Sequence, residues 1–165
     1  MLVISELIDS PIGVLTIVAS DKGIQKILFG DYCSIYQSEL NCSSALFYIS
    51  LCKLQLQEYF TGLRTAFSIP LDYSGTVFQI KVWNALQTIP FGETNSYKGI
   101  AIKIGSSKAC RAVGLANNKN PLPIIIPCHR VVGSSGKMVG YAGEVWRKEW
   151  LLQFEKTKKP HSCEA

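Results

Sequence analysis

Hydrophobic and polar positions divide the chain into two regimes. Between residues 2 and 30, apolar stretches rich in β-branched residues alternate with turn residues. Ile12, Val14, Leu15, Ile17 and Val18 are followed by the turn Asp21-Lys22-Gly23, and a second apolar run extends from Ile24 to Phe29. This pattern predicts strands joined by hairpins. Over residues 43–61 the period changes. Leu46, Ile49, Leu54, Leu56 and Phe60 fall roughly along one side of a helix, with Gly62 as its stop. The turn-rich stretch from Leu71 to Gly75 marks a boundary, giving a supporting domain over 1–73 and a second domain over 74–165.

The second domain reads as mainly helical. Thr76-Val77-Phe78-Gln79 has the form of a capping box. Phe78, Val82, Ala85, Leu86 and Ile89 follow at helical spacing up to Pro90-Phe91-Gly92. A short helix starts near Ser96, turns Tyr97, Ile100, Ala101 and Ile104 inward, and stops at Gly105. Another runs from Ser106 or Ser107 to about Asn118. Two short helices joined by Gly-Ser-Ser make a helix-turn-helix candidate, although a plain helical hairpin shows much the same pattern. Ile124-Ile125-Ile126 predicts a buried strand, with Pro127 keeping the residue before it extended. Gly133 to Lys137 is an amide-rich loop without P-loop spacing, and Gly140 to Gly143 is a further turn. A last helix spans 144–157, its Trp146, Trp150 and Phe154 stripe read as core and Glu155 as the polar residue of interest. The fold class is therefore α+β, and the first domain carries no chemical constellation.

Composition narrows this picture. The 165 residues, 47% hydrophobic, suffice for one good core or two small ones. No run of 18 apolar residues occurs, so no membrane span is expected. Glu6, Asp9, Pro11 and Gly13, without early basic residues, argue against a signal peptide and for a cytoplasmic protein. The six cysteines contain no C-x-x-C pair, and Cys/His spacing for zinc is missing, with His161 in a polar tail. Neither metal nor cofactor is expected. The net charge of +5 hides an asymmetry: residues 1–73 carry −3 and residues 74–165 carry +8. A basic second half suits a phosphate-backbone partner, and equally a solvated basic face.

The candidate chemistry centres on Cys128. A cysteine after an apolar run is by default a buried structural thiol. An unperturbed thiol is only a few per cent thiolate at neutral pH, so a nucleophilic role needs a base or a positive environment. His129 is adjacent in sequence, but neighbouring extended side chains point to opposite faces. A bridging water is the expected link, with Glu155 orienting the imidazole in the nucleophile–base–orienter manner.

Asn120-Pro121, Pro127-Cys128-His129-Arg130-Val131 and Glu155 occur in an order and separation that resembles the O6-alkylguanine-DNA alkyltransferases. Gly75 to Gln79, Pro90 to Thr94 with Ser96-Tyr97, and Arg111-Ala112-Val113-Gly114 match the same family. The resemblance is dense from Gly75 to Glu155 and thin before it. It implies a small α/β, ribonuclease H-like N-terminal domain ahead of the helical one. It implies double-stranded DNA containing O6-alkylguanine as partner and substrate, O4-alkylthymine as a second candidate, and no obligate protein partner, the protein acting as a monomer. Cys128 would be the alkyl acceptor, consumed after one event. His129 and Glu155 would form a water-linked relay, Asn120 would brace the loop, and Tyr97 would donate to the departing base. Arg111 would fill the gap left by the flipped nucleotide, with the third helix in the minor groove. Phosphate and sugar contacts would fall on Gln79, Tyr97, Lys98, Ser106, Arg111 and Ser134, and the base pocket on Val131, Tyr141 and Ala142. Ala142 stands where many relatives have serine, and Cys110 where they commonly have alanine. Two other classes compete. A module that senses alkylated DNA without repairing it would lack the cysteine, and a cysteine hydrolase would regenerate its thiol.

Overall fold

The computed structural model describes residues 3–36, 42–133, 135–136 and 143–158. They form two compact units, Met1–Gly75 with Pro121–Ile125, and Thr76–Asn120 with Ile126–Ala165. The first holds a three-stranded antiparallel sheet of order β1 (Ile4–Ile8), β2 (Leu15–Ala19) and β3 (Ile24–Phe29). Ile17 sits opposite both Glu6 and Ile27. All five residues of the central β2 are buried, as a middle strand under a helix requires. That helix, α1 (Ser43–Phe60), packs on the sheet through Ala45, Ile49, Cys52, Leu56 and Tyr59.

This is not the expected stripe. Leu46 and Leu54 are 41% and 53% exposed. Positions 45, 49, 52, 56 and 59 keep the alternating four- and three-residue step of one helix face, and small or amphipathic Ala45, Cys52 and Tyr59 fill it. The most hydrophobic residue types misplace the face by about one position.

In the second unit, α2 (Val77–Leu86) begins with the expected capping box. Thr76 Oγ1 accepts from Gln79 N at 3.1 Å, and Gln79 Oε1 accepts from Thr76 N at 3.0 Å. Thr76→Ala is expected to cost about 1 kcal/mol, readable as a lower urea midpoint with an unchanged slope. α3 (Tyr97–Lys103) starts on Ser96, whose Oγ accepts from Gly99 N at 2.8 Å. It stops at Gly105, whose φ of +77° is the left-handed value a helix end favours. Gly105 N bonds Ile102 O, and Ser106 N bonds Ala101 O. α4 runs Cys110–Asn118, four residues later than the earliest expected start, because residues 106–109 are spent on the turn. Trp83 Nε1 donates to Ala116 O at 2.8 Å, tying α2 to α4.

The expected strand at Ile124–Ile126 is absent. Ile124 and Ile125 lie in a turn, and Ile124 has φ +76°. Pro121, Pro123 and Pro127 remove the backbone donors a ladder would need, while burial of Leu122 to Ile126 supplies the drive. A left-handed β-branched residue costs about 1–3 kcal/mol locally. Cys128–Arg130 is a 3-10 turn rather than extended chain. It leads into β5 (Val131–Val132), which pairs in parallel with β4 (Asn95–Ser96). The last helix, α5 (Val145–Lys158), also departs from expectation. Trp146 is 44% exposed, and the buried face is Lys148, Leu151 and Glu155. Trp150 and Phe154, only partly covered, stack on each other at 4.9 Å.

Candidate active site

The site is assembled from three pieces of the second unit: the turn Cys128–Arg130, the buried face of α5, and the start of α3. Cys128 is 1% exposed. Burial pushes its thiol up to about 11, opposed by a hydrogen bond from the Asn120 side chain and by the positive charge of Lys148. Asn120 Nδ2 also donates to Ile126 O at 2.8 Å, so one amide holds both the thiol and the chain just before it. Asn117, on α4, donates to the Cys128 carbonyl at 3.3 Å.

His129 is fully buried. Its Nε2 lies 2.7 Å from Glu155 Oε1, and its Nδ1 is buried without a hydrogen-bond partner among the described protein atoms. Arg130 completes the cluster. Its Nε and Nη2 reach Glu155 Oε2 and Oε1 at 2.9 and 2.8 Å, its Nη1 donates to Ile89 O at 2.7 Å, and Gly92 N donates to Oε2 at 3.2 Å. Burial alone would raise the Glu155 carboxyl. The contacts from His129 and Arg130 outweigh it and hold that group well below the usual carboxylate range. Burial, with the charges of Arg130 and Lys148, holds His129 below its ordinary value despite Glu155. A neutral imidazole that donates a hydrogen bond from Nε2–H to Glu155 keeps Nδ1 as an acceptor.

Both shifts set the acid response. The folded imidazole and carboxyl titrate below their unfolded counterparts, so each contributes stability at neutral pH that is lost as pH falls. The imidazole acts first, below about pH 6.5, and the carboxylate below about 4.3. Lowering the pH from about 7 to 5.5 is expected to remove on the order of 1 kcal/mol, measured as urea midpoints at each pH. His129→Gln should flatten that interval; an unchanged slope would contradict a neutral buried imidazole.

The other expected residues are placed unevenly. Tyr97 opens α3 half-buried, its hydroxyl raised by burial and by the neighbouring Cys128. Val131 is buried, Ser106 partly covered, and Lys98 and Arg111 are exposed on α3 and α4. Gln79 spends its side-chain oxygen on the α2 cap. Ser134, Tyr141 and Ala142 lie outside the described residues. Sequence reasoning missed three participants: Arg130, Asn117 and Lys148. Arg130 stood within the quoted motif, and Lys148 precedes Leu151 and Glu155 by three and seven positions, a helical stripe hidden because its ends are charged. A groove of about 690 Å³ opens beside Glu155, Val132 and Leu152, and Cys128 is not among its lining residues. Among the described residues no group of three or more His, Cys, Asp or Glu is placed to hold a metal, and no helix is long and apolar enough to cross a membrane.

Two family models cover nearly the whole chain: the 6-O-methylguanine DNA methyltransferase ribonuclease-like domain over residues 3–73, and the DNA binding domain of the same protein over 77–157. The chain belongs to this methyltransferase family. A methylated-DNA–protein-cysteine methyltransferase of Mycolicibacterium paratuberculosis is 45% identical over 155 residues, covering 94% of this chain and 93% of that one. One from Methanosarcina barkeri is 43% identical, covering 91% and 95%. The crystal structure of Mycobacterium tuberculosis OGT in complex with DNA superposes with a TM-score of 0.83 at 43% identity, over 98% of this chain and 96% of that one. Membership brings the α+β fold and the family's reaction, DNA repair by transfer of an alkyl group to a protein cysteine.

Proposed function

We propose that Cys128 is the alkyl acceptor and that the substrate is O6-alkylguanine in double-stranded DNA, with O4-alkylthymine as a second candidate. The observation that carries this is a buried thiol in a built cluster, followed at once by an imidazole whose far nitrogen is held by a clamped carboxylate. His129 Nδ1 accepts the thiol proton through a water, and Glu155 stabilises the resulting imidazolium. The sulfur attacks the alkyl carbon in line, the S–C bond forms, and the C–O6 bond breaks with its electron pair left on guanine. The half-buried Tyr97 hydroxyl neutralises that charge. The thioether has no route back to a thiol, so the protein turns over once.

A stacked base cannot reach a sulfur that is 1% exposed, so the nucleotide must leave the duplex, and side chains covering the sulfur must part. Exposed Arg111, second residue of α4, is suited to fill the gap, and exposed Lys98 to reach phosphate. Residues 1–73 act as the supporting domain, with the DNA-facing and acceptor chemistry in 74–165.

Incubation with a duplex containing O6-methylguanine is expected to add about one methyl mass to the intact protein, confined to the peptide bearing Cys128 and stoichiometric with the lesion. Methyl on a different peptide, or continued turnover with a free thiol, would overturn the assignment.

A further inference from the structure

Glu155 Oε1 accepts from two donors at once, His129 Nε2 at 2.7 Å and Arg130 Nη2 at 2.8 Å. Arg130 Nε completes a fork on the same carboxylate, 2.9 Å from Oε2 and 3.2 Å from Oε1. Its Nη1 is fixed on the Ile89 carbonyl at 2.7 Å, and the guanidinium carbon lies 5.8 Å from the centre of the Phe91 ring, a favourable cation–π placement. The guanidinium is thus held from three sides, and His129, Arg130 and Glu155 are all buried. We infer that Arg130 is the positioning residue that keeps His129 an unprotonated acceptor at neutral pH, by sharing the Glu155 oxygen to which the imidazole is bonded. This rests on the reading of His129 as the base for Cys128.

The physical reason is the count of charge in a dry site. With Arg130 in place, guanidinium and carboxylate cancel, and the neutral imidazole adds nothing. A proton on Nδ1 would then leave the cluster with a net positive charge away from water. Without the guanidinium, the carboxylate faces the imidazole alone, and the same proton would bring the pair to neutrality. Protonation is opposed in the first case and favoured in the second, so loss of Arg130 turns Nδ1 from acceptor into donor near neutral pH. The groups around the ring agree with this. α2 and α5 pack against the turn Cys128–Arg130. α5 brings Glu155 and Lys148, the latter opposing protonation in the same sense as Arg130, and α2 brings only the exposed Lys81. Cys128 in the turn and Tyr97 beside it are neutral, their protons held on mainly by burial. Burial is the leading cause of the low imidazole; Glu155 works against it and Arg130 with it.

The test is an NMR titration of the His129 ring in the full chain, with His161→Gln as background so that one imidazole reports. The pH dependence of single-turnover methyl transfer from an O6-methylguanine duplex is measured beside it. In the wild type, the ring nitrogens at about pH 7 are expected to show a neutral imidazole protonated on Nε2. Arg130→Gln and Arg130→Met, neutral replacements of different shape, are expected to raise the midpoint by about two units. Transfer at about pH 7 then falls about tenfold and recovers towards the wild-type rate by about pH 9, with duplex affinity within about threefold. Arg130→Lys returns the charge without the fork, and should keep the midpoint within about half a unit of the wild type. The ring is titrated without DNA, so a shifted imidazole with an unmoved rate profile fails the reading of His129 as base and not the role of Arg130. An unshifted midpoint in a folded neutral variant would overturn the inference, as would a shift in Arg130→Lys as large as in Arg130→Met. A doubly protonated wild-type ring at about pH 7 would overturn it whatever the variants do.

Discussion

Cys128→Ser is expected to abolish alkyl transfer while the variant still binds lesion-bearing duplex. The hydroxyl that replaces the thiol is far less acidic and a poorer nucleophile toward saturated carbon, and no rearrangement of His129 compensates for that. Structural damage should be small. The replacement is nearly isosteric, and the Asn120 side chain that hydrogen-bonds the sulfur can serve a hydroxyl as well. Cys128→Ala is the control that leaves a void instead of a hydroxyl, with a stability cost of about 1 kcal/mol. Transfer at the wild-type level by either variant, followed by intact mass, would remove Cys128 from the chemistry.

The largest effect on stability is expected at Glu155. Its carboxylate accepts from His129, from Nε and Nη2 of Arg130 and from Gly92 N. Alanine there would strand a guanidinium whose side chain is only 7% exposed, along with an imidazole N–H and a backbone N–H. Breaking a buried pair from one side typically costs about 3–5 kcal/mol, a large share of the roughly 5–15 kcal/mol that holds a domain folded. Glu155→Ala should therefore lower the urea midpoint strongly and slow transfer, because His129 loses the partner that fixes its tautomer. Glu155→Gln keeps the shape and an acceptor oxygen, and should fall between the two. A variant as stable as the wild type would show that Arg130 finds another partner and that the clamp is not what holds the site. Loss of DNA binding in parallel with transfer, in a folded Glu155→Gln variant, would point to a structural rather than a chemical role.

Cys128 and Glu155 are visible in a motif whose residue order is specific, as are the cap at Thr76 and Gln79 and the helix stops at Gly105 and Gly62. The cap and the two stops are local decisions, made by a side chain and backbone groups within about four residues. Where the local signal was hydrophobicity alone, it misled. The isoleucines at 124–126 favour a strand in isolation, yet prolines on both sides deny them a ladder. On α5 the aromatic residues drew the eye, although the face that packs inward carries Lys148 and Glu155.

By itself the chain determined most of its helices and the strands of the first unit, and through motif order it pointed to the family, since these follow from neighbours in sequence. Only the folded arrangement decided who answers whom. Arg130 clamps Glu155 across 25 residues, Asn117 reaches the Cys128 carbonyl from α4, and a lysine lies in the dry interior near the thiol. Long-range charge pairing in a low-dielectric site leaves no periodic trace in sequence, because its strength depends on distance and burial rather than on residue spacing.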